Sequence, residues 1–454
     1  MIDLHPVPET DHQCPFCEVA LTARSWYMPG MRMLADLFCP ECDRTYYGDL
    51  PAGHGVFYPG LIEQETGTLH APLETWFTDI LVEAYTDRRS EEVGLEGGES
   101  ESIEDPVLLN CLDINYVHCI NKLLNAQRHL DRNNGCSLVV IVPKLLEWMV
   151  PEGVDAVWTV DISLSDGGQW NDWLAKTIQD RIEDFDRCAL SIAYPHPHPT
   201  EYDISRFTGV NPFPIDEWLE RLSEPTVTFV WRNAVSYAGP RRLWCSIPDA
   251  GGWRRKARGY LNLVSDKLGA QWPALREQRR NIVSAAETLR TIFPDLDCAV
   301  AGLGSYGTFP DWISDIRHEA PSEEEERALC ERYSQSHVVA GIHGSNLALP
   351  AAHAGGVVDI LPATKRGNIW GDLVFRYAGQ RESLLRYRSV PSCVSSEVVA
   401  REIAATILDW PQRQLRFGQR LSHGVSRERL AEIRATERRY REKRKAITGE
   451  TGVL

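Results

Sequence analysis

The sequence predicts an α/β protein with two parallel-sheet domains in tandem, a small cysteine-bearing head before them and a helical segment after them. Three observations carry this reading. Strand-like and helix-like stretches alternate twice along the chain, with a break near residue 222. The strand-like runs are continuously apolar, as strands buried on both faces are. Cys14-Pro-Phe-Cys17 and Cys39-Pro-Glu-Cys42 form two paired motifs that neither sheet explains.

The boundaries follow in order. Residues 1–50 form the cysteine head. Residues 51–105 are rich in Gly, Pro and Glu, and EEVGLEGGESESIED (91–105) reads as a solvated linker or loop; one short helix is expected within the region, over 76–84. Residues 106–222 make the first α/β domain, in which NYVHCINKLLNAQRHL spaces its apolar residues as a helix, SLVVIVP and AVWTV read as strands, and WNDWLAKTIQDRI is helical again. Residues 223–405 make the second, with strands expected at TVTFVWR, CAVAGL, HVVAGI and GGVVDILP. Residues 406–454 are a basic helical segment.

The 454 residues hold 48 basic and 64 acidic side chains, a net charge of −16. Such a balance argues against a protein that coats nucleic acid, because phosphate contact favours a positive field. The charge is uneven: 91–105 carries seven carboxylates and no Lys or Arg, whereas 413–445 has twelve basic residues against four glutamates. No stretch approaches the ~18–20 apolar residues of a membrane helix. Asp3, Pro6, Pro8 and Glu9 stand where a signal peptide has a basic start and an apolar run. The expectation is a soluble, cytoplasmic protein, with 427–445 either packed on the fold or in contact with the inner membrane face or an acidic partner.

Cys14, Cys17, Cys39 and Cys42, with 21 residues between the pairs, can close a tetrahedron around a structural Zn2+; two disulfides are the alternative. With only Arg24, Arg32 and Arg44 as basic residues, this ribbon suits protein docking or a structural role better than nucleic acid. The remaining cysteines lie mostly in apolar runs and read as core residues.

The sharpest chemical signal is residues 337–362. A strand ends at His343-Gly344-Ser345-Asn346, where a helix begins, and a second strand carries Asp359. Gly344 permits close approach of a ligand, and amides at a new helix N-terminus suit phosphate; the alternative is an N-cap by Ser345 or Asn346 beside an uninvolved histidine. Arg232 ends the strand TVTFVWR, with Arg241 and Arg242 downstream, and arginine at a strand end pairs well with phosphate or with a surface carboxylate. In the first domain, Asn115-Tyr116-Val117-His118 opens a helix, with Asp113 just before it.

In this order the pieces resemble glycosyltransferase family 61. Its members show an Asn-Tyr-aromatic-His stretch, a strand ending in Arg with further arginines downstream, a His-Gly-Ala-Gly-Leu block and a Val-Val-Glu-Ile strand. The matching pieces here are NYVH at 115–118, Arg232 with Arg241 or Arg242, HGSNL at 343–347 and VVDI at 357–360, and the resemblance covers roughly residues 106–405. It implies a GT-B architecture, two Rossmann-like domains facing across a cleft, and an inverting transfer from a nucleotide-sugar donor without a catalytic metal. The acceptor would be a hydroxyl of a glycan, a lipid-linked molecule or a small molecule. Arg232, Arg241, Arg242, His343, Gly344, Ser345 and Asn346 would surround the donor diphosphate, with Asp359 near the nucleotide. HGSN departs from HGAG, and Lys122 stands where members often carry an acid. His118 and Asp113 are then the candidates for the base. The other readings are a fucosyltransferase-like or epimerase GT-B enzyme, or a catalytically silent module that binds nucleotide-sugar or protein.

Overall fold

The computed structural model describes residues 1–97, 103–132, 135–183, 185–198, 202–233, 272–368 and 386–421, with scattered positions of the tail beyond. The chain is a mixed α/β protein of two compact units, Met1–Thr208 and Gly209–Leu454.

The first unit runs β1 (Ile2–Asp3), β2 (Thr22–Tyr27), β3 (Leu34–Phe38), β4 (Thr45–Asp49), β5 (Leu61–Glu63), β6 (Leu69–His70), α1 (Trp76–Thr86), β7 (Gly94–Glu96), β8 (Val107–Asn110), α2 (Tyr116–Leu123), α3 (Asn125–Arg132), β9 (Leu138–Pro143), β10 (Ala156–Asp161), α4 (Asp172–Asp180), β11 (Ala189–Leu190) and α5 (Ser205–Thr208). β2 to β6 form an antiparallel meander in sequence order. The second sheet has the order β1-β11-β8-β9-β10-β7; its inner four strands are parallel and its two edges antiparallel. All six residues of β9 are buried, which is why that strand reads as an uninterrupted apolar run.

The expected boundary at residue 50 does not separate two bodies. Leu21, Trp26, Leu37 and Tyr46 of the meander share one hydrophobic core with Leu108, Val139, Ile141 and Trp158 of the parallel sheet. The Asn110 carboxamide at the end of β8 donates to the Gly30 carbonyl at 2.8 Å and accepts from the Leu112 amide at 3.0 Å, which ties the two sheets together. The stretch 51–105, expected as a linker, holds β5, β6, α1 and β7. Its few apolar residues are placed where they count: Ile62 and Leu81 are fully buried beside Trp170. Helix α1 starts on a Thr75 capping box, with the Thr78 hydroxyl taking the Thr75 amide at 2.8 Å.

The second unit begins at 209 rather than near 222. Phe213 and Trp218 pack against His337 at ring separations of 4.9 and 5.5 Å, and the Trp218 indole donates to the Ile407 carbonyl. Its elements are β12 (Thr226–Trp231), α6 (Trp272–Ile292), β13 (Asp297–Leu303), β14 (Ile313–His318), α7 (Glu323–Gln335), β15 (Val338–Ile342), α8 (Ala348–His353), β16 (Gly356–Leu361), β17 (Tyr387–Pro391) and α9 (Ser396–Leu421). The sheet is entirely parallel, in the order β14-β13-β12-β15-β16-β17. Numbered within the unit, that is 3-2-1-4-5-6, the doubly wound order whose topological switch point lies between β12 and β15. Ala286 and Leu289 of α6 join Ile403 and Ile407 of α9 in the core of this sheet. Among the described residues, no helix is long and apolar enough to cross a membrane.

Candidate functional site

Three groups of side chains stand out, two in the first unit and one in the second. The first is the four-cysteine cluster. Cys14 Sγ lies 3.5 Å from Cys42 Sγ, Cys17 Sγ 3.4 Å from Cys39 Sγ and 3.9 Å from Cys42 Sγ. All four are free thiols, and the separations are far beyond the ~2.05 Å of a disulfide bond. They do match the ~3.8 Å edges of a tetrahedron with ~2.3 Å metal–sulfur arms. The two knuckles are built alike. The Glu18 amide donates to the Cys14 carbonyl and the Asp43 amide to the Cys39 carbonyl, and both donors have left-handed backbone, φ 60° and 55°. The Tyr46 hydroxyl lies 3.5 Å from Cys14 Sγ behind the cluster. These residues fit a structural metal with no open coordination position.

The second group sits beyond the end of β8. Asp113 follows the strand, and α2 begins three residues later with Asn115 as N-cap, its side chain accepting from the Val117 amide. One turn into the helix, His118 Nδ1 lies 3.1 Å from Asp113 Oδ1. A carboxylate only accepts, so Nδ1 carries the proton and Nε2 of the neutral ring is left as a base. One turn further, the Lys122 ammonium meets Asp113 Oδ2 at 2.8 Å and the Leu112 carbonyl at 2.7 Å. The meander adds His54, in a short turn just past β4, with Nε2 at 3.5 Å from Asp113 Oδ2 and its ring 4.6 Å from that of His118.

Asp113, Lys122 and His54 are buried, and only His118 is partly open. Burial alone would push the Asp113 carboxyl up; the Lys122 ammonium and the His118 hydrogen bond outweigh it and hold the carboxyl well below its usual range. The His54 imidazole goes the other way, down to about 3, chiefly through burial and then through Lys122, His118 and His196, with Asp113 opposing. His54, Asp113 and His118 lie within metal-ligating reach of one another. However, Lys122 already supplies the neutralising cation at the carboxylate and would repel a divalent ion there. The arrangement is an acid–base cluster with His118 as its accessible member.

The third group lies at the switch point of the second unit. Arg232 follows the end of β12, and its Nη1 donates to the His343 carbonyl and, at 3.3 Å, to Asn346 Oδ1. Gly344 has φ +143°, and a Cβ there would collide with the Arg232 guanidinium. The glycine thus makes room for an arginine of the chain itself. His343 and Asp359 are both buried, with Nδ1 to Oδ2 at 2.8 Å and Ser389 Oγ at 3.4 Å from the same carboxylate oxygen. Asp359 therefore orients His343 from beneath.

The helix expected at 343–346 is a single 3-10 turn, Ser345–Leu347, followed by the six-residue α8. So short a helix has little macrodipole, and the positive charge at this strand end comes from Arg232. Neither Ser345 nor Asn346 caps it; Gly344 occupies the cap with no side-chain bond. The Gln278 carboxamide of α6 lies 3.0 and 3.2 Å from the backbone N and O of Arg232, a two-point brace on the arginine.

The structure thus brings His118 and Asp113 together in one unit, and Arg232, His343, Gly344, Asn346 and Asp359 in the other. Arg241 and Arg242 lie outside the described residues, as does most of 427–445. Cys111, Cys119, Cys188, Cys298 and Cys330 are buried core thiols, Cys136 and Cys393 are exposed, and Cys245 lies outside the described residues. Sequence reasoning missed His54 and the ion-pairing of Lys122. The Gly53-His54-Gly55 triplet was the available signal, because flanking glycines let a histidine turn inward. No protein-family model and no curated protein sequence matches this chain.

Proposed function

We propose that the protein is an inverting glycosyltransferase of the GT-B type that moves a sugar from a nucleotide-sugar to a hydroxyl acceptor. One observation carries the reading: a 3-2-1-4-5-6 parallel sheet with Arg232 and the 343–346 turn at its switch point, where sheets of this order receive nucleotide diphosphates. The acid–base cluster of the first unit supports it with a ready proton acceptor, His118 Nε2, whose tautomer Asp113 fixes.

In this mechanism His118 takes the acceptor proton as the hydroxyl oxygen attacks the anomeric carbon. The bond to the leaving diphosphate breaks on the opposite face, and Arg232 receives the developing negative charge. General-base assistance of this kind is worth ~10²–10⁴-fold, and a positioned cation at the leaving group commonly more. The four cysteines would hold a structural Zn2+ that braces the meander and takes no part in transfer.

The test is thermal-shift binding of purified protein to UDP, GDP, dTDP and CMP and their sugars, with and without EDTA. A selective shift that weakens in His343→Ala supports a donor site; no shift with any nucleotide removes it. A specific observation favours the second reading, a silent binding module: Arg232 already donates to His343 and Asn346 of its own chain. Nucleotide binding without transfer to any acceptor would favour that reading.

A further inference from the structure

Of the cluster around Asp113, only His118 reaches solvent, with 15% of its side chain exposed. Exposed apolar side chains lie near the cluster. Trp76 lies 5.7 Å from His118 with 31° between the ring planes, and 5.0 Å from His54. Phe57 lies 6.0 Å from His196, whose ring is 6.2 Å from that of His54. The Ile192 carbonyl takes the Gly53 amide beside His54. Nine large apolar side chains are exposed among the described residues, and these three are among them: Trp76 at 40%, Phe57 at 42% and Ile192 at 40%. Trp76 stands directly against His118, while Phe57 and Ile192 lie in or beside the turn that carries His54, a grouping unlike the scatter expected of incidental surface residues.

Both aromatic residues are held in place. Trp76 is the first residue of α1, fixed by the Thr75–Thr78 capping box. Phe57 caps the 3-10 turn Gly53–Val56 that presents His54, its amide bonded to the His54 carbonyl. A pre-formed apolar face loses little conformational entropy on binding.

We propose that Trp76, beside His118, and Phe57, linked to it through His196 and His54, form a stacking platform that receives the acceptor as a ring with an apolar face and a free hydroxyl, either a pyranose or a phenol. This rests on the reading of His118 as the base. An aromatic face favours a flat apolar surface laid against it, while the imidazole Nε2 needs an O–H within about 2.6–3.2 Å. A ring that carries a hydroxyl supplies both. Three side chains are too few for a protein interface, which buries ~800 Å² per partner. The platform belongs to the segment 51–86, outside the part of the chain that resembles glycosyltransferase family 61, so that segment selects the acceptor.

The test is saturation-transfer NMR on the full chain without nucleotide. One arm uses methyl glycosides of glucose, galactose, mannose and xylose at millimolar concentration; the other uses phenol and tyrosine amide. One arm should give transfer. Binding should weaken at least tenfold in Trp76→Ala and in Phe57→Ala, be retained in Trp76→Phe, and be unchanged in Phe16→Ala, a control at an exposed aromatic of the first knuckle. Absence of binding in both arms, or binding unchanged in Trp76→Ala, overturns the platform. Ring binding by a protein that binds no nucleotide keeps the platform and removes the glycosyltransferase reading. Nucleotide binding without ring binding does the reverse.

Discussion

Lys122 holds its ammonium 2.8 Å from Oδ2 of Asp113, and neither side chain reaches solvent. A carboxylate so deeply enclosed stays ionised because a cation is enclosed with it. Lys122 is therefore the residue that keeps Asp113 charged, and through Asp113 it fixes His118.

Replacing Lys122 by Met keeps the volume and removes the charge. Breaking a buried pair from one side typically costs ~3–5 kcal/mol, and urea unfolding of Lys122→Met should show a loss of that order. Adding Asp113→Asn should restore part of it, because the orphaned carboxylate is gone. A loss below ~1 kcal/mol would mean that Asp113 is not an ion in the folded chain.

Stability should fall with acid in a defined window. His54 has an ordinary value of 6.5 and is held at about 3, first by burial. Below pH 6.5 the unfolded chain takes up a proton that the folded chain refuses until about pH 3, so stability present above 6.5 is lost as pH falls through that range. His129 and His337, each held at about 4 chiefly by burial, act in the same direction. Asp113, held low, adds a further loss at the acidic end. Melting temperature measured from pH 7 to 4.5 should drop, and less steeply in His54→Gln; an unchanged slope would place His54 in contact with solvent.

The two halves of the mechanism should separate by variant. His118→Ala should lose ~10²–10⁴-fold in transfer rate and retain nucleotide binding. Arg232→Ala should lose both, and Arg232→Lys should not restore them, since an ammonium lacks the planar fork that pairs with phosphate oxygens. Assayed once a donor is known, equal nucleotide affinity in Arg232→Ala and the parent protein would take Arg232 out of the site.

Metal analysis of the purified chain should give one zinc. Cys39→Ser should lower both zinc content and melting temperature, because a four-thiolate site contributes folding free energy directly. Because β4 leads from the second knuckle to the turn that carries His54, the same variant should raise hydrogen exchange over 50–57. Normal melting with zinc absent would reduce the cluster to four thiols with no structural metal.

Much of the second unit was legible because its strands are buried on both faces. TVTFVWR, CAVAGL, HVVAGI and GGVVDILP stand out as apolar runs and became β12, β13, β15 and β16. β14 (ISDIRH) and β17 (YRSVP) were not, because they lie at the sheet edges and carry polar residues. The meander was missed for a different reason: half-buried strands of six residues or fewer alternate too briefly to register, and Gly and Pro between them suggest a linker. Sequence spacing located Arg232 at its strand end, while His118 and Asp113 entered as base candidates through the resemblance. Spacing could not show that Asp359 lies beneath His343, since parallel neighbours β15 and β16 are paired by the fold and not by the sequence. His54 and Trp76 lie well before α2 in the sequence, and only the folded chain brings them to it.

The shared core of the first unit bears on how such a protein can be rearranged in evolution. A parallel sheet that recombined away from the meander would leave behind the histidine that completes its cluster and the aromatic residues that flank it. It would also expose Leu108, Ile141 and Trp158, which the meander helps to cover. Residues 1–208 hold the cysteine knuckles and the cluster around Asp113 in one compact unit, so the two should be gained or lost together.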